Sequence, residues 1–311
     1  MKVGLLIPQG WKGEYAGLSA TEAWATSVRL ATQAERLGFE SIWLFDHFHT
    51  VPQPTDEITF EAFTGLAGLA RATEHIRVGP LVACAGFRNP ALVAKMASTL
   101  DVISGGRFEL GLGAGWKQDE WLAYGFGFPA LAERLEVLAD TLEIVRRMLS
   151  GERATFEGRH ASVRGAINVP AGLQRPRLPI MVGGNGRNVT WRLAARFADE
   201  LNLVALTPAE LREELPIVRQ RCEEEGRDPA SLPVSMYLPD AGVREPGQPR
   251  VDLLGELAAL GLARIQAFPN RWGLGPEVLE RFAEDVTAAG LGLDRPAAPS
   301  PPADATPVAA G

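Results

Sequence analysis

Residues 77–113, RVGPLVACAGFRNPALVAKMASTLDVISGGRFELGLG, contain one complete strand–helix–strand unit. The runs Arg77–Ala83 and Phe108–Gly113 are short and mostly apolar, which is typical of parallel strands buried on both faces. Between them, Pro90–Ile103 repeats its apolar residues with a helical period, and Asn89-Pro90 is a usual helix start. Two parallel strands joined by a helix predict an α/β fold.

The same alternation continues in both directions along the chain. Further strand-like runs lie at Lys2–Ile7, Ser41–Phe45, Pro179–Gly183, Glu200–Leu203, Val234–Leu238 and Arg264–Phe268. Helical patterns lie at Thr21–Leu37, Leu131–Leu149 and Pro208–Glu225. Eight such strands, each followed by a helix, predict a (β/α)8 TIM barrel. The alternative is a doubly wound open sheet, which has fewer strands and an early glycine fingerprint that the first loop, Pro8-Gln9-Gly10-Trp11, lacks.

Two segments lie outside the barrel pattern. Thr155–Val169 alternates polar and apolar residues and contains glycine turns, which predicts an inserted hairpin. From Arg295 onward the chain is rich in Pro and Ala and cannot bury a core. We therefore expect one barrel domain over residues 1–292 and a disordered Pro/Ala-rich tail over residues 293–311.

Composition restricts the classes of partner. The net charge is -7 and no basic cluster is present, which disfavours nucleic-acid binding. Every apolar run is shorter than the ~18 residues that a membrane span needs. The run that starts at Met1 is too short for a signal peptide and ends at Pro8. Two cysteines, Cys84 and Cys222, do not make a disulfide framework. We expect a cytoplasmic protein without nucleic-acid or membrane partners.

A histidine-containing motif follows the second predicted strand, at the strand end where barrel enzymes carry their active sites. In Asp46-His47 an imidazole that titrates near neutral pH suits proton transfer or ligand orientation, and a purely loop-ordering histidine is the alternative. His47 and His49 together also suggest a metal site. The chain has only four histidines, however, and His75 and His160 fall elsewhere, so we expect no metal.

Two glycine-rich loops follow later predicted strands. Gly111–Trp116 (GLGAGW) allows a ligand to approach the backbone closely, and Trp116 offers a flat apolar surface. Val182–Asn188 (VGGNGRN) precedes a predicted helix at Val189–Phe197, so backbone N–H groups and Arg187 would attract an anion such as phosphate. A tight turn is the alternative. A planar phosphorylated cofactor would suit this combination of a phosphate cradle, a flat aromatic side chain and Asp46-His47. We expect Cys84 to be an inert buried thiol.

A series of motifs carries a family resemblance. They are Asp46-His47-Phe48, Arg88-Asn89-Pro90 with Ala94-Lys95, Ile103–Arg107 (ISGGR), Gly113–Trp116 (GAGW) and Pro179–Gly184 (PIMVGG). In order and spacing, from Met1 to about Gly292, the chain resembles the luciferase-like monooxygenase superfamily. Within it, the chain resembles the oxidoreductases that depend on coenzyme F420, a deazaflavin.

The resemblance implies a barrel that binds F420 or FMN at its carboxyl rim and forms a homodimer. His47 would be the catalytic residue beside the reactive ring. A non-prolyl cis peptide would fall at about Leu81-Val82 and form a bulge that supports the ring. The implied cofactor-binding residues are Asp46, Leu81, Val82, Ala83, Ala114, Gly115, Trp116, Val182, Gly183, Gly184, Asn185 and Gly186.

One departure from the resemblance concerns the substrate. Relatives that oxidise sugar phosphates carry a Glu at the position of Trp116, so we expect a hydrophobic or carbonyl-bearing substrate instead. The leading hypothesis is hydride transfer between F420 and that substrate. An FMN-dependent monooxygenase and a barrel that binds a ligand without catalysis are the alternatives.

Overall fold

A computed structural model of the protein describes residues 1–269 and 273–294. The predicted tail lies outside the described residues from position 295 onward. The strands are β1 (Lys2–Leu6), β2 (Ser41–Leu44), β3 (Arg77–Pro80), β4 (Ala83–Cys84), β5 (Leu110–Gly113), β6 (Ala154–Glu157), β7 (Ser162–Ala166), β8 (Ile180–Gly183), β9 (Glu200–Val204), β10 (Val234–Leu238) and β11 (Arg264–Ala267).

Helices follow most of these strands. They are α1 (Ala20–Leu37), α2 (Ala62–Ala72), α3 (Pro90–Ile103), α4 (Gln118–Ala123), α5 (Leu131–Leu149), α6 (Thr190–Phe197), α7 (Pro208–Glu224), α8 (Gln248–Ala259) and α9 (Pro276–Ala288). Their starts follow local chemistry. Ser19 and Glu22 form a reciprocal capping box at α1, and the Asn89 side chain accepts from the Ala91 N–H at α3.

The parallel strands form one barrel sheet in the order β3-β2-β1-β11-β10-β9-β8-β5-β4. β3 and β4 are two halves of one barrel strand, the third predicted strand, and the peptide bond between them, Leu81-Val82, is cis. Both halves contact the segment that contains β5: β4 pairs with β5, and Val78 of β3 forms a parallel bridge with Phe108. These contacts close the barrel. The predicted TIM barrel is therefore confirmed.

The predicted hairpin is also confirmed, since β6 and β7 pair in antiparallel register. The structure adds α2, α4, α8 and α9 to the helices that the sequence patterns indicated. No helix within residues 1–269 and 273–294 is both long and apolar enough to cross a membrane. The domain boundary at residue 292 stays a prediction.

A buried charge cluster ties the amino-terminal ends of the strands together. The Arg264 guanidinium at the start of β11 donates to Glu40 at 3.0 Å, to Glu109 at 2.7 Å and to Glu200. Burial alone would raise the pKa of Glu109, but the charges of Arg264 and Arg77 outweigh it and hold that pKa below its usual value. Burial does raise the pKa of Glu200. Arg264 thus neutralises carboxylates from three positions around the barrel, at the end opposite the predicted site.

Replacing Arg264 by Met should lower the free energy of unfolding by about 3–5 kcal/mol, because it leaves buried carboxylates without their cation. Urea unfolding at pH 7 measures the change. Arg281→Met is the matched control, since Arg281 and its partner Glu284 have side chains 57% and 68% exposed. The control should change stability by no more than about 1 kcal/mol. Equal losses in the two variants would contradict the role given to Arg264.

Candidate functional site

A cavity of about 530 Å³ opens at the carboxyl ends of the barrel strands. Most of the predicted site residues line it: Asp46, His47, Leu81, Val82, Ala114, Gly115, Trp116, Gly183, Gly184, Asn185 and Gly186. Ala83 lies in β4 and Val182 in β8, and neither is among the lining residues. Residues from loops far apart in sequence therefore meet around one space.

The His47 imidazole is bound on one side by a carboxylate that the sequence motifs did not reveal. His47 Nδ1 lies 2.7 Å from Glu120 Oε2, and the other Glu120 oxygen accepts from the Phe48 N–H at 2.6 Å. Burial by itself would raise the pKa of Glu120, but its hydrogen bonds with the His47 ring and the Phe48 N–H lower it overall. An ionised Glu120 only accepts hydrogen bonds, so the proton lies on His47 Nδ1 and Nε2 is left for a ligand.

Asp46, the neighbour of His47 in sequence, has a different partner. Its carboxylate accepts from the Cys84 N–H at 2.8 Å and from both terminal nitrogens of Arg88, at 2.6 and 2.8 Å. Arg88 also binds Glu61, which caps α2, at 2.7 Å. The Asp46 carboxylate is therefore paired with Arg88 and not with His47. Asp46 lines the cavity, but it joins the end of β2 to β4 and α2, and Glu120 is the carboxylate that orients His47.

The wall beside His47 is built around the cis peptide. The cis bond at Leu81-Val82 lies where the resemblance implied it. The Val82 side chain then packs against two glycines: a Cβ on Gly113 would lie 2.7 Å from Val82 Cγ2, and one on Gly183 would lie 2.9 Å from Val82 Cγ1. Any larger residue at either glycine would displace Val82. The result is a wall of Val82 and bare backbone.

Cys84 lies in this wall without an evident chemical role. Burial raises the pKa of the Cys84 thiol to about 12, so the thiol stays protonated at neutral pH. Since the thiolate is the reactive form, Cys84 is a poor nucleophile. This agrees with the prediction of an inert buried thiol.

The loop after β8 forms a backbone cradle at the start of α6. Gly184 has φ +131°, and a Cβ on Gly186 would lie 2.5 Å from Thr190 Oγ1. The Asn185 side chain is fixed by two hydrogen bonds of 2.9 Å to the Val204 backbone. The amino terminus of a helix carries a partial positive charge, so this cradle suits an anion such as phosphate.

Arg187 does not supply the charge that was expected at the cradle. Its guanidinium donates to the Glu214 carboxylate of α7, and Arg187 is not among the residues that line the cavity. The prediction that Arg187 adds a positive charge to the anion site is therefore wrong. The cradle offers backbone N–H groups and the Thr190 side chain instead.

The remaining walls of the cavity are largely apolar. They include Trp11, Phe87, Trp116, Trp121, Leu131 and Leu135. The Trp116 side chain is 62% exposed and its ring meets the His47 ring edge-on at 5.9 Å between centroids. Lys117 also lines the cavity, and its ammonium is paired with Asp119 at 2.7 Å. Trp11, Lys117 and Glu120 were absent from the predicted site.

Residues 1–241 match the family model described as luciferase-like monooxygenase. The chain is similar to the F420-dependent glucose-6-phosphate dehydrogenase of Kineococcus radiotolerans, with 31% identity over 226 residues that cover 70% of this chain and 64% of that enzyme. Its similarity to the enzyme of that name from Microbacterium testaceum is 33% over 167 residues, which cover 53% and 48%. The matched part thus spans less than two thirds of these relatives.

Several solved structures share the fold. An F420-dependent secondary alcohol dehydrogenase, solved with an F420-acetone adduct, has a TM-score of 0.74 at 19% identity and covers 93% of this chain and 98% of its own. The oxygenating constituent of 3,6-diketocamphane monooxygenase from Pseudomonas putida, solved with FMN, has a TM-score of 0.69 at 18% identity, covering 94% and 99%. Because the identities are low, these matches establish the barrel fold and not the ligand.

Replacing Glu120 by Gln should lower the free energy of unfolding by about 1–3 kcal/mol at pH 7, because a buried charge-assisted hydrogen bond is lost. The pKa of Glu120 is lowered in the folded protein. Its ionised form therefore contributes stability that is fully present above the unfolded value of about 4.3 and is lost as the pH falls through the lower folded value. The difference between wild type and Glu120→Gln should accordingly shrink by pH 3.

Urea unfolding of both proteins at pH 7 and pH 3 measures this dependence. Glu136→Gln is the control, because Glu136 also pairs with a histidine, His160, but its side chain is 41% exposed. We expect a clearly smaller loss in the control. The account of Glu120 fails if its loss is the same at both pH values or no larger than that of Glu136→Gln.

Proposed function

The chain belongs to the luciferase-like monooxygenase family, and we propose that it is an F420-dependent oxidoreductase that moves a hydride between the deazaflavin and an organic substrate. The observation that carries this proposal is the His47–Glu120 pair, which presents one imidazole nitrogen to a cavity with a flat wall and an anion cradle. The F420-dependent relatives named above support the choice of cofactor.

The residues present fit a planar phosphorylated cofactor. A planar ring system needs a wall without protruding side chains, and Val82 packed on Gly113 and Gly183 provides it. A phosphate needs hydrogen-bond donors, and the backbone of Asn185 and Gly186 ahead of α6 provides them, while the Gly184 N–H donates to the Asn202 carbonyl. When bound, F420 supplies a two-electron hydride donor or acceptor.

His47 would carry out the proton transfer that accompanies hydride transfer. With its proton on Nδ1 and Glu120 ionised, His47 Nε2 can accept the hydroxyl proton as an alcohol carbon loses its hydride. In the opposite direction, the protonated ring returns that proton to a carbonyl oxygen. Glu120 stabilises the positive charge on His47 in both directions, because it is buried and lies 2.7 Å away.

The substrate that this cavity favours is hydrophobic and bears a carbonyl or hydroxyl group. Its lining is mainly aromatic and aliphatic, and its charged lining residues are already paired within the protein: Asp46 with Arg88, His47 with Glu120 and Lys117 with Asp119. A sugar phosphate would need an unpaired cation for its phosphate in addition to the cradle. The exposed ring of Trp116 at the mouth suits an apolar substrate surface.

We propose in addition that the protein is a cytoplasmic homodimer. Its two cysteines are buried and free, which fits a reducing compartment. Exposed apolar side chains on α3, such as Leu92 and Val102, offer surface that a second copy could cover.

F420 should bind at least about tenfold more tightly than FMN, as measured by fluorescence titration of the purified protein.

Gly186→Ala should weaken F420 binding about tenfold, because the added Cβ would lie 2.5 Å from Thr190 Oγ1 and distort the cradle. Gly186→Ala should not change the affinity for the deazaflavin riboside, which carries no phosphate. Gly255→Ala is the control, since a Cβ there meets no atom within 4 Å. Tighter binding of FMN than of F420 would favour the monooxygenase alternative.

Replacing His47 by Ala should lower kcat by about 10²–10⁴-fold, because general acid–base catalysis is lost, and should leave the Kd of F420 nearly unchanged. The assay follows F420 fluorescence with a panel of secondary alcohols and ketones. Glucose 6-phosphate is tested beside them as a representative sugar phosphate. We expect apolar alcohols or ketones to react faster than glucose 6-phosphate. Normal turnover by His47→Ala would refute the role of His47, and a preference for glucose 6-phosphate would refute the proposed substrate class.

A further inference from the structure

We propose that Trp11 is a positioning residue for His47: its indole holds the plane of the imidazole, so that Nε2 faces the cavity. This inference rests on the proposed role of His47 in proton transfer. It concerns the first loop of the barrel, Pro8-Gln9-Gly10-Trp11, which lacks the glycine fingerprint of a doubly wound sheet.

The indole and the imidazole are stacked face to face. Their ring centroids lie 4.5 Å apart and their planes differ by 3°. Phe45 packs against Trp11 at 4.3 Å with its ring tilted by 52°. Trp116 meets His47 edge-on instead, at 77°. One face of the imidazole is thus covered by a buried indole, and its Nδ1 edge is occupied by Glu120.

These contacts restrict different motions of the ring. The hydrogen bond from His47 Nδ1 to Glu120 selects the tautomer and opposes a ring flip. That bond alone leaves the ring free to tilt about the line that joins the two atoms. A parallel indole against the ring face opposes this tilt, because tilting would push ring atoms into the indole. Proton transfer is sensitive to the placement of Nε2, so loss of the stack should reduce the rate.

The first loop is held so that Trp11 reaches this position. The buried Gln9 side chain accepts from the Phe45 N–H at 2.6 Å and donates to the carbonyl oxygens of Phe45 and Phe60, at 2.9 and 3.0 Å. Gly10 has φ +99°, and a Cβ there would lie 1.7 Å from the Ile58 carbonyl oxygen. Gln9 therefore joins the loop to the end of β2, two residues before His47, and only glycine fits at position 10.

The choice of an indole at position 11 is not explained by the filling of space alone. Trp11 Nε1 is buried without a hydrogen-bond partner among the described residues. An unpaired buried N–H is unfavourable, and a phenyl ring at this position would avoid it. Stability alone therefore does not account for an indole here. The stack on the imidazole does account for a flat aromatic ring at this position.

The test uses two replacements of Trp11, and one of them is repeated in the His47→Ala variant. Trp11→Phe keeps a flat ring, whereas Trp11→Leu keeps an apolar side chain without one. With the fastest substrate of the panel, Trp11→Leu should lower kcat about tenfold or more, while KM and the Kd of F420 change less than about threefold. Trp11→Phe should stay within about threefold of wild type. In the His47→Ala background, Trp11→Leu should cause no further loss, because the residue acts through His47.

A second readout needs neither cofactor nor substrate. The chain has four histidines, so a protein labelled with ¹⁵N-histidine gives a simple imidazole spectrum. Wild type and Trp11→Phe should show His47 as a single tautomer with a proton on Nδ1. Trp11→Leu should shift and broaden the His47 signals and leave those of His75 and His160 unchanged.

Three results would overturn the inference: an unchanged His47 spectrum in Trp11→Leu, the same loss of kcat in both backgrounds, or a loss confined to KM or F420 binding. If wild type binds no F420, the proposed function fails. The spectrum of His47 still decides the role of Trp11 in that case.

Discussion

The site depends on one buried hydrogen bond, between His47 Nδ1 at the end of β2 and Glu120 in the first turn of α4. Because Glu120 is ionised and only accepts, it fixes where the imidazole proton lies. Its second oxygen accepts from the Phe48 N–H, so one carboxylate holds both the side chain and the loop that carries it. The chemistry that we propose follows from this arrangement, since it leaves Nε2 of a cavity-lining imidazole without a proton.

The rest of the rim keeps that bond in place by joining loops that are distant in sequence. Asp46 and Arg88 connect the end of β2 to β4 and α2 through a buried ion pair. Gln9 connects the first loop to Phe45. Such networks are stable only when every buried polar group has a partner, so loss of one member should disturb several loops. The barrel supplies rigid strands, and these side chains convert their ends into one site.

Local patterns in the sequence were sufficient for the barrel but not for the partners within the site. Burial of a strand or helix determines which of its own residues are apolar. The apolar strands and the helical period of segments such as Pro90–Ile103 are therefore visible in the local sequence. Glu120 is 73 residues from His47, and no local pattern connects the two. Arg187 similarly follows a glycine loop typical of anion binding, yet α7 places Glu214 beside it. The cis peptide at Leu81-Val82 was implied only by family resemblance, because its residues carry no signal of their own.

The central claim is that this site transfers a hydride between a substrate carbon and F420, with His47 exchanging the accompanying proton. The most direct measurement uses a secondary alcohol deuterated at its carbinol carbon, incubated with the protein and F420, followed by mass spectrometry of the reduced cofactor. The account predicts reduced F420 that is one mass unit heavier than the product from unlabelled alcohol. Reduced F420 without the label, or substrate oxidation that requires FMN and oxygen instead, would contradict it.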